Sequence, residues 1–428
     1  MEEFDAIVVG AGPAGCAAAY VMAKAGHNVL VLERGKFPGA KNMWGGAFFG
    51  PVMNELFPGF WEEAPFERFV TRHAISFLTE QDILSIDYKS DVTEPAEKKG
   101  FITLRAKFDK WMSQKVEQAG AIVASGLAVD DLIVEGGVVK GVKVGDEQFA
   151  SNAVVLADGV NSLLSEKIGL RKAYSPHDMK QGVKEIIRLP REVIEDRFNI
   201  SGTAGVAMEF IGSCTRGLPG GGFMYTNLDS VSLGVVVQLS ALMDTQIKAS
   251  DLIEDFKNHP AIAQLIKGGQ TAEYSAHLIP VSGLKMMPKL YDNGVLVTGD
   301  AASLVLGTGL ILEGANFAVA SGMAAAETVI EAHRKEDFTR DELSNYEKRL
   351  REQFVLKDLQ TFSRAPQFLE NERIYQLYPE LACSMARKIF SSDGKPRENT
   401  FKVLRKSLGK QASMWKMASD MIKAGRAL

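Results

Sequence analysis

Near the start of the chain, Gly10, Gly12 and Gly15 are spaced G-x-G-x-x-G in VVGAGPAGCAAAYVMAKAGHNVLVLER, residues 8–34. Each glycine has a separate use. Gly10 permits a tight turn, Gly12 lets backbone approach a pyrophosphate, and Gly15 lets a helix pack closely on a strand. Glu33 ends the next apolar run, where a carboxylate can accept hydrogen bonds from a ribose that carries no 2′-phosphate. Two more acids close apolar runs ahead of glycine-bearing loops: Asp158 in Ala157-Asp158-Gly159, and Asp300 after Gly299. An acid at the carboxyl end of a strand points into the crevice where α/β sheets hold ligands. The chemistry these residues imply is the binding of a dinucleotide.

The elements that must position them are legible around each motif. Residues 4–9 form an apolar, β-branched run suited to a buried parallel strand. Ala17, Ala18 and Ala19 open a helix whose N-terminus offers N–H groups and a positive dipole end to phosphates. Residues 29–32 give a second strand. Residues 152–170 and 292–322 repeat the pattern of apolar strand, acid, loop and helix.

The three motifs in this order are hallmarks of the glutathione-reductase-type FAD fold, and the chain resembles its para-hydroxybenzoate-hydroxylase-like branch over residues 1–346. In that setting Asp300 accepts from the ribityl hydroxyls. The loop Gly307-Thr308-Gly309 aims backbone N–H groups at the flavin edge, where they stabilise negative charge on the reduced ring. The segment FITLRAKFDKW matches the family's arginine-containing stretch, and by that resemblance Arg105 lies beside the FAD. The expected cofactor-binding set also takes in Pro13, Ala14, Arg34, Leu127, Ala128, Gly314 and Asn316. No histidine suits covalent attachment, so the flavin is expected to be held noncovalently.

Composition removes several alternatives. A net charge of −4 argues against generic nucleic-acid binding. The three cysteines, Cys16, Cys214 and Cys383, are too far apart for a redox pair, a zinc motif or a self-contained iron–sulfur cluster. The six histidines are scattered, and no metal site is expected. The N-terminus has no basic n-region, and the small-residue stretch 295–326 contains Asp300, Glu313 and five glycines, which excludes a membrane span there. The expected location is the cytoplasm, with peripheral contact to the cytoplasmic membrane.

A further stretch narrows the choice among flavoproteins. GKFPGAKNMWGGAFFG, residues 35–50, resembles the segment after the second strand in the electron-transfer-flavoprotein:quinone oxidoreductase family, in its Fix-complex (FixC) branch. GGGFMYTN, residues 220–227, and residues 350–379 resemble that family too. The resemblance implies that Lys41, Asn42, Gly45 and Gly46 form a flavin-facing loop. It implies FAD-dependent electron transfer from a two-subunit electron-transfer flavoprotein, which in the family can bifurcate electrons, to a quinone. Longer members carry a cluster-binding C-terminal domain; here Cys383 stands alone, which fits a separate small ferredoxin-like iron–sulfur subunit. Trp44, Phe48, Phe49, Phe223, Met224 and Tyr225 are candidates to line the quinone pocket. The flavin does the redox work, so no catalytic nucleophile or acid–base pair is assigned.

The expected architecture is α/β, with a discontinuous FAD-binding domain of residues 1–75, 100–170 and 285–345. Residues 76–99 and 171–284 form a mixed or antiparallel sheet over the flavin as the substrate domain, and residues 346–428 form a helical region, with SNYEKRLREQFVLKDL as a clear amphipathic stretch. The last 27 residues carry seven basic side chains against Asp420 alone, a local charge of +6, and Met414, Met417, Ala418, Met421 and Ile422 fall on one helical face. This segment, and the aromatic run Phe57, Phe60, Trp61 and Phe66, are candidate contacts for a membrane or partner. Two other activities share the FAD fold, aromatic monooxygenation and prenyl-chain reduction; the Pro-x-x-Tyr-x-Trp-x-Phe-Pro segment of geranylgeranyl-type reductases is absent.

Overall fold

The computed structural model describes residues 2–40, 46–90, 95–309, 311–392, 394, 396–408 and 414–428. In chain order the first strands are β1 (Glu2–Val9), β2 (Val29–Glu33), β3 (Ala47–Phe49), β4 (Phe66–Leu78), β5 (Ile83–Lys89) and β6 (Gly100–Thr103). They are followed by β7 (Ile122–Ser125), β8 (Asp131–Glu135), β9 (Val138–Val144) and β10 (Glu147–Leu156). The second half supplies β11 (Met179–Arg188), β12 (Ala204–Gly212), β13 (Gly220–Thr226), β14 (Ser230–Gln238), β15 (Gln270–Pro280), β16 (Tyr291–Asp292) and β17 (Val295–Val297).

The first sheet runs β16-β17-β10-β1-β2-β7, with β8 and β9 attached through β10. Its central pairs, β17 with β10, β10 with β1, β1 with β2 and β2 with β7, are all parallel. Parallel strands covered on both faces read as unbroken apolar runs. Ile7, Val8, Val29, Val154–Leu156 and Val295–Val297 are accordingly fully buried. The helix Pro13–Lys24 packs on this sheet and against the long helix Ala315–Lys335 through small residues. A Cβ on Gly15 would sit 1.9 Å from the Gly10 carbonyl oxygen, and one on Gly322 would sit 2.2 Å from that of Ala14, so both contacts require glycine.

The second sheet runs β15-β11-β14-β13-β12-β4-β6-β3, with β5 on β4, and is antiparallel except between β12 and β4. One face is a second core: Val183, Val235, Phe210 and Met224 pack against Leu252, Ile253 and Phe256 of the helix Ala249–Asn258. The opposite face looks toward the first sheet's ligand crevice. The boundaries drawn from the sequence place residues 66–75 and 100–103 with the FAD-binding pieces, whereas pairing carries β4 and β6 into the second sheet. Both strands take partners from distant parts of the chain, β4 pairing with β12 and β6 with β3, which a local pattern does not reveal.

From Arg340 onward the described chain is helical. The amphipathic stretch divides at Gln353, which is extended, into the helices Asn345–Glu352 and Phe354–Thr361. Its buried positions change phase there, from Tyr346 and Leu350 to Val355, Leu356 and Leu359, and the break lets both runs face the core. Tyr346 is fully buried and donates its O–H to the Val297 carbonyl at 3.1 Å, fixing this region to the end of β17. Phe57 and Phe60 are buried, and Phe60 packs on Phe101 at 4.8 Å and on Trp61 at 5.5 Å. Of the aromatic run expected as a surface contact, Phe57 and Phe60 are therefore core, while Trp61 and Phe66 stay half-buried against it.

Candidate cofactor site

A cavity of about 460 Å³ opens at the carboxyl ends of the parallel strands. The turn after β1 forms its floor. Gly10 has φ +102°, and a Cβ there would meet the Ala157 carbonyl oxygen at 2.4 Å. No side chain fits, and a left-handed backbone is open to glycine. Gly12 lies at the N-terminus of the helix Pro13–Lys24, with Pro13 in its first turn and Ala14 next in the cavity wall. Glu33 braces the turn while facing the cavity: Ala11 N–H donates to Oε2 at 3.0 Å and Gly35 N–H to Oε1 at 2.6 Å. Arg34, Leu127 and Ala128 complete that wall.

The second acid comes from the end of β10. Asp158 lines the cavity beside Ala157 and Gly159, and its Oδ1 is buried without a hydrogen-bond partner. Burial pushes its carboxyl up to about 6, against the opposing pull of Ser162, Arg171 and Arg34. The third acid, Asp300, follows β17. No described residue hydrogen-bonds its carboxylate, and burial raises its pKa while Arg105 opposes that shift. Arg105 enters from the helix Arg105–Gln118 and is clamped by Asp109, with Nε to Oδ1 and Nη2 to Oδ2 both at 2.5 Å. The residues therefore suit a flavin dinucleotide: a glycine cradle at a helix N-terminus, an acid at the second strand, and two half-buried acids with oxygens still free to accept. Buried polar groups are nearly always hydrogen-bonded, so the unpartnered Asp158 Oδ1 fits a ligand that carries hydrogen-bond donors.

Of the residues expected at the site, Gly10, Gly12, Pro13, Ala14, Glu33, Arg34, Arg105, Leu127, Ala128, Ala157, Asp158, Gly159, Asp300 and Gly314 line this cavity. Others stand behind or beside it. Gly15 serves packing, and Gly299 takes φ +64° with its N–H donating to Ser321. Gly307 borders a smaller neighbouring pocket and Gly309 abuts Leu369, while Val305 and Leu312 to either side do reach the cavity. Asn316 is a brace: its Oδ1 accepts from Phe49 N–H at 3.2 Å and its Nδ2 donates to Glu313 at 3.0 Å. Gly46 accepts from Thr103 N–H at 3.2 Å. Lys41, Asn42 and Gly45, like Trp44, lie outside the described residues.

Sequence reasoning missed His277 and Ile279, which reach the cavity from β15 of the second sheet. No local motif marks them. Their position depends on one sheet closing over the other. Among the aromatic and methionine candidates, strand alternation separates Phe223 and Tyr225, on the crevice side, from Met224, which is buried in the second core. Phe48 is core as well, 3.8 Å from Phe101. At the far end of the molecule the fold gathers two of the scattered histidines. His333 donates from Nε2 to the Asp5 carbonyl at 3.0 Å, and its ring lies 4.6 Å from that of His27. This contact ties the end of the helix Ala315–Lys335 to β1.

Comparison with known proteins assigns the family. Residues 5–73 match a model of FAD dependent oxidoreductases, residues 180–279 the ubiquinone-binding model of ETF-QO, and residues 365–428 the C-terminal domain of the ETF-QO/FixC family. The chain is 44% identical to a probable electron transfer flavoprotein-quinone oxidoreductase, YdiS, of Escherichia coli K12, covering 100% of this chain and 99% of that protein. It is 43% identical to FixC of the same strain, with 98% of each chain covered. FixC of Bradyrhizobium diazoefficiens is 39% identical, over 100% of this chain and 99% of the other. Among solved structures, a geranylgeranyl bacteriochlorophyll reductase-like protein of Thermoplasma acidophilum superimposes with TM-score 0.75 at 21% identity, covering 99% and 100% of the two chains. The myxobacterial chondrochloren halogenase gives 0.65 at 18%, covering 100% and 91%. At these identities the two structures share the fold alone. With full-length relatives at 39–44% identity, the chain is a member of the FixC/electron-transfer-flavoprotein:quinone oxidoreductase family, an FAD-dependent oxidoreductase.

Proposed function

We propose that this flavoprotein accepts electrons from a two-subunit electron-transfer flavoprotein and passes them to a quinone, with a separate small ferredoxin-like subunit supplying an iron–sulfur cluster. The observation that carries this reading is the junction of the two sheets. The FAD cavity is walled partly by His277 and Ile279, within the stretch that matches the ubiquinone-binding model. Bound FAD supplies storage for one or two electrons. The chain's own residues hold and tune it: Gly10 and Gly12 cradle the pyrophosphate, Glu33 takes the adenosine ribose, and Asp158 and Asp300 accept from the cofactor's hydroxyls. Cys16, Cys214 and Cys383 are all buried and unpaired, which supports placing the cluster on another subunit.

Docking is assigned to the C-terminal helix Met414–Ala427. It seats on the body through a polar anchor. Arg373 donates to Asp420 at 2.7 and 2.8 Å, and Tyr378 donates to the same carboxylate. The apolar side is left outward, with Trp415 86%, Met421 69% and Ile422 57% exposed beside Lys416 and Lys423. An outward apolar stripe with flanking cations suits an anionic membrane surface, where quinone is dissolved. No described helix is long and apolar enough to cross a membrane.

The test is purification from its native host in mild detergent. The two electron-transfer-flavoprotein subunits and a small iron–sulfur protein should accompany the chain. Protein freed of them should keep its FAD and carry no iron. A chain that purifies alone, and whose flavin is reduced by NADPH but not by reduced electron-transfer flavoprotein, contradicts the reading.

A further inference from the structure

Quinone reduction consumes protons as well as electrons, and the second sheet carries ionisable side chains on the face that closes the flavin crevice. Strand register places them. In β11, Val183 enters the second core, so Lys180, Gly182 and Lys184 point the opposite way. Lys184 is directly paired with Ser275 of β15 on one side and Gly234 of β14 on the other. The row continues from Gly234 to Phe223 of β13 and then to Glu209 of β12. One transverse row of the sheet therefore reads Ser275, Lys184, Gly234, Phe223, Glu209. His277, two residues along β15 from Ser275, is in the cavity wall, so the row borders the flavin site. Arg105, also in that wall, acts electrostatically on both Lys184 and His277.

The row has the form of a trough. A Cβ on Gly234 would lie 2.5 Å from the Phe223 ring, so the ring occupies the space over the glycine as an apolar floor. At about 4.8 Å per strand, Lys184 and Glu209 stand roughly 14 Å apart at the backbone. Their side chains can reach inward over the ring from opposite ends. Neither has a hydrogen-bond or ion-pair partner among the described residues, although Lys184 is only 3% exposed. Ser275 Oγ is buried and unpartnered as well. Unpaired ionisable groups inside a protein are costly and mark sites of function more often than of stability.

We propose that Glu209 and Lys184 are the proton donors to a quinone ring seated over Phe223; this rests on the quinone reading above. Two electrons come from the reduced flavin, whose own proton is released to solvent. The Glu209 O–H bond and one Lys184 N–H bond break, each proton passing to one quinone oxygen, and the two C=O bonds become C–O–H. Glu209 is left as carboxylate and Lys184 as neutral amine, and both recover their protons from water. The titrations suit the task. Burial, with no charge opposing it, raises Glu209 to about 7, and burial lowers Lys184 to about 8, with Glu273 opposing and Arg105 assisting. The other titratable groups on this face are Tyr225, pushed up by burial and by Glu209, Lys180, lowered to about 8, His277, lowered to about 4, and His73, lowered. Groups with pKa values near the working pH are the efficient general acids.

The test mixes anaerobically reduced holoprotein with a short-chain ubiquinone, or with ferricenium, which takes an electron and no proton. Glu209→Gln and Lys184→Met should slow re-oxidation by quinone by roughly 10²-fold, a general-acid contribution. Both should leave ferricenium re-oxidation within a factor of about two of wild type and should flatten the pH profile. Glu209→Asp should recover part of the quinone rate. Independently of turnover, the infrared band of a protonated carboxyl that disappears on raising the pH through about 7 should be missing in Glu209→Gln. Variants that slow both acceptors equally, or that match wild type with quinone at every pH, overturn the proposal. A wild-type protein that reduces ferricenium but never quinone overturns the quinone reading and the proposal with it.

Discussion

On the proposed reading, Asp300 helps to retain the cofactor by accepting from its hydroxyls. Asp300 lines the cavity, no described residue hydrogen-bonds its carboxylate, and Asp158, the other unpartnered acceptor there, stands at the end of a different strand. Asp300→Ala should therefore yield largely flavin-free protein that still folds, read from the ratio of flavin to protein absorbance. Full flavin occupancy in that variant would show that the ligand is held elsewhere. The residues of this wall were legible in sequence wherever motif and position coincide. Gly10, Glu33, Asp158 and Asp300 each stand at the end of a strand of one sheet, Gly12 caps the helix that follows, and their chemistry follows from local spacing. His277, Lys184 and Glu209 were not legible, because only the register of a second sheet brings them to the crevice. Phe223 and Tyr225 could have been told from Met224 by strand alternation alone, had β13 been read as covered on one face by helices.

The helix Met414–Ala427 is built in the reverse of the usual amphipathic arrangement. Met417, Asp420, Ala424 and Ala427 turn inward at intervals of three and four, while Met414, Trp415, Met421 and Ile422 turn out. The sequence pattern marks an apolar face of which Met414, Met421 and Ile422 are exposed and Met417 is not, and it gives no indication that an ion pair between buried Asp420 and the more exposed Arg373 seats the opposite face. Phe390 and Phe401, 84% and 65% exposed, add apolar surface on the two preceding helices. Each basic residue near an anionic surface is worth about 1 kcal/mol at low salt. Truncation after Lys410 should leave FAD bound and the melting temperature nearly unchanged, yet reduce co-sedimentation with anionic vesicles several-fold. Loss of flavin with undiminished vesicle binding would make the helix a structural strut.

At the scale of the whole molecule, two sheets meet over one cavity, and each contributes a different part of the reaction. The parallel sheet offers strand ends and a helix N-terminus to the cofactor. The antiparallel sheet offers a face that carries Phe223 and the proposed proton donors Lys184 and Glu209. The parallel half could be drawn from the sequence nearly strand by strand, since βαβ units are local. The antiparallel half could be drawn only as a class, because β3, β4 and β6 join it from segments interleaved with the first sheet. On the proposed reading, electrons held on the FAD leave to a quinone. Stopped-flow mixing of the anaerobically reduced holoprotein with a short-chain ubiquinone tests it most directly. The prediction is return of the oxidised flavin spectrum in a single turnover without oxygen, with one quinol formed per FAD. A flavin that stays reduced in the presence of quinone, while NADPH and oxygen together drive hydroxylation of an aromatic compound, would contradict it.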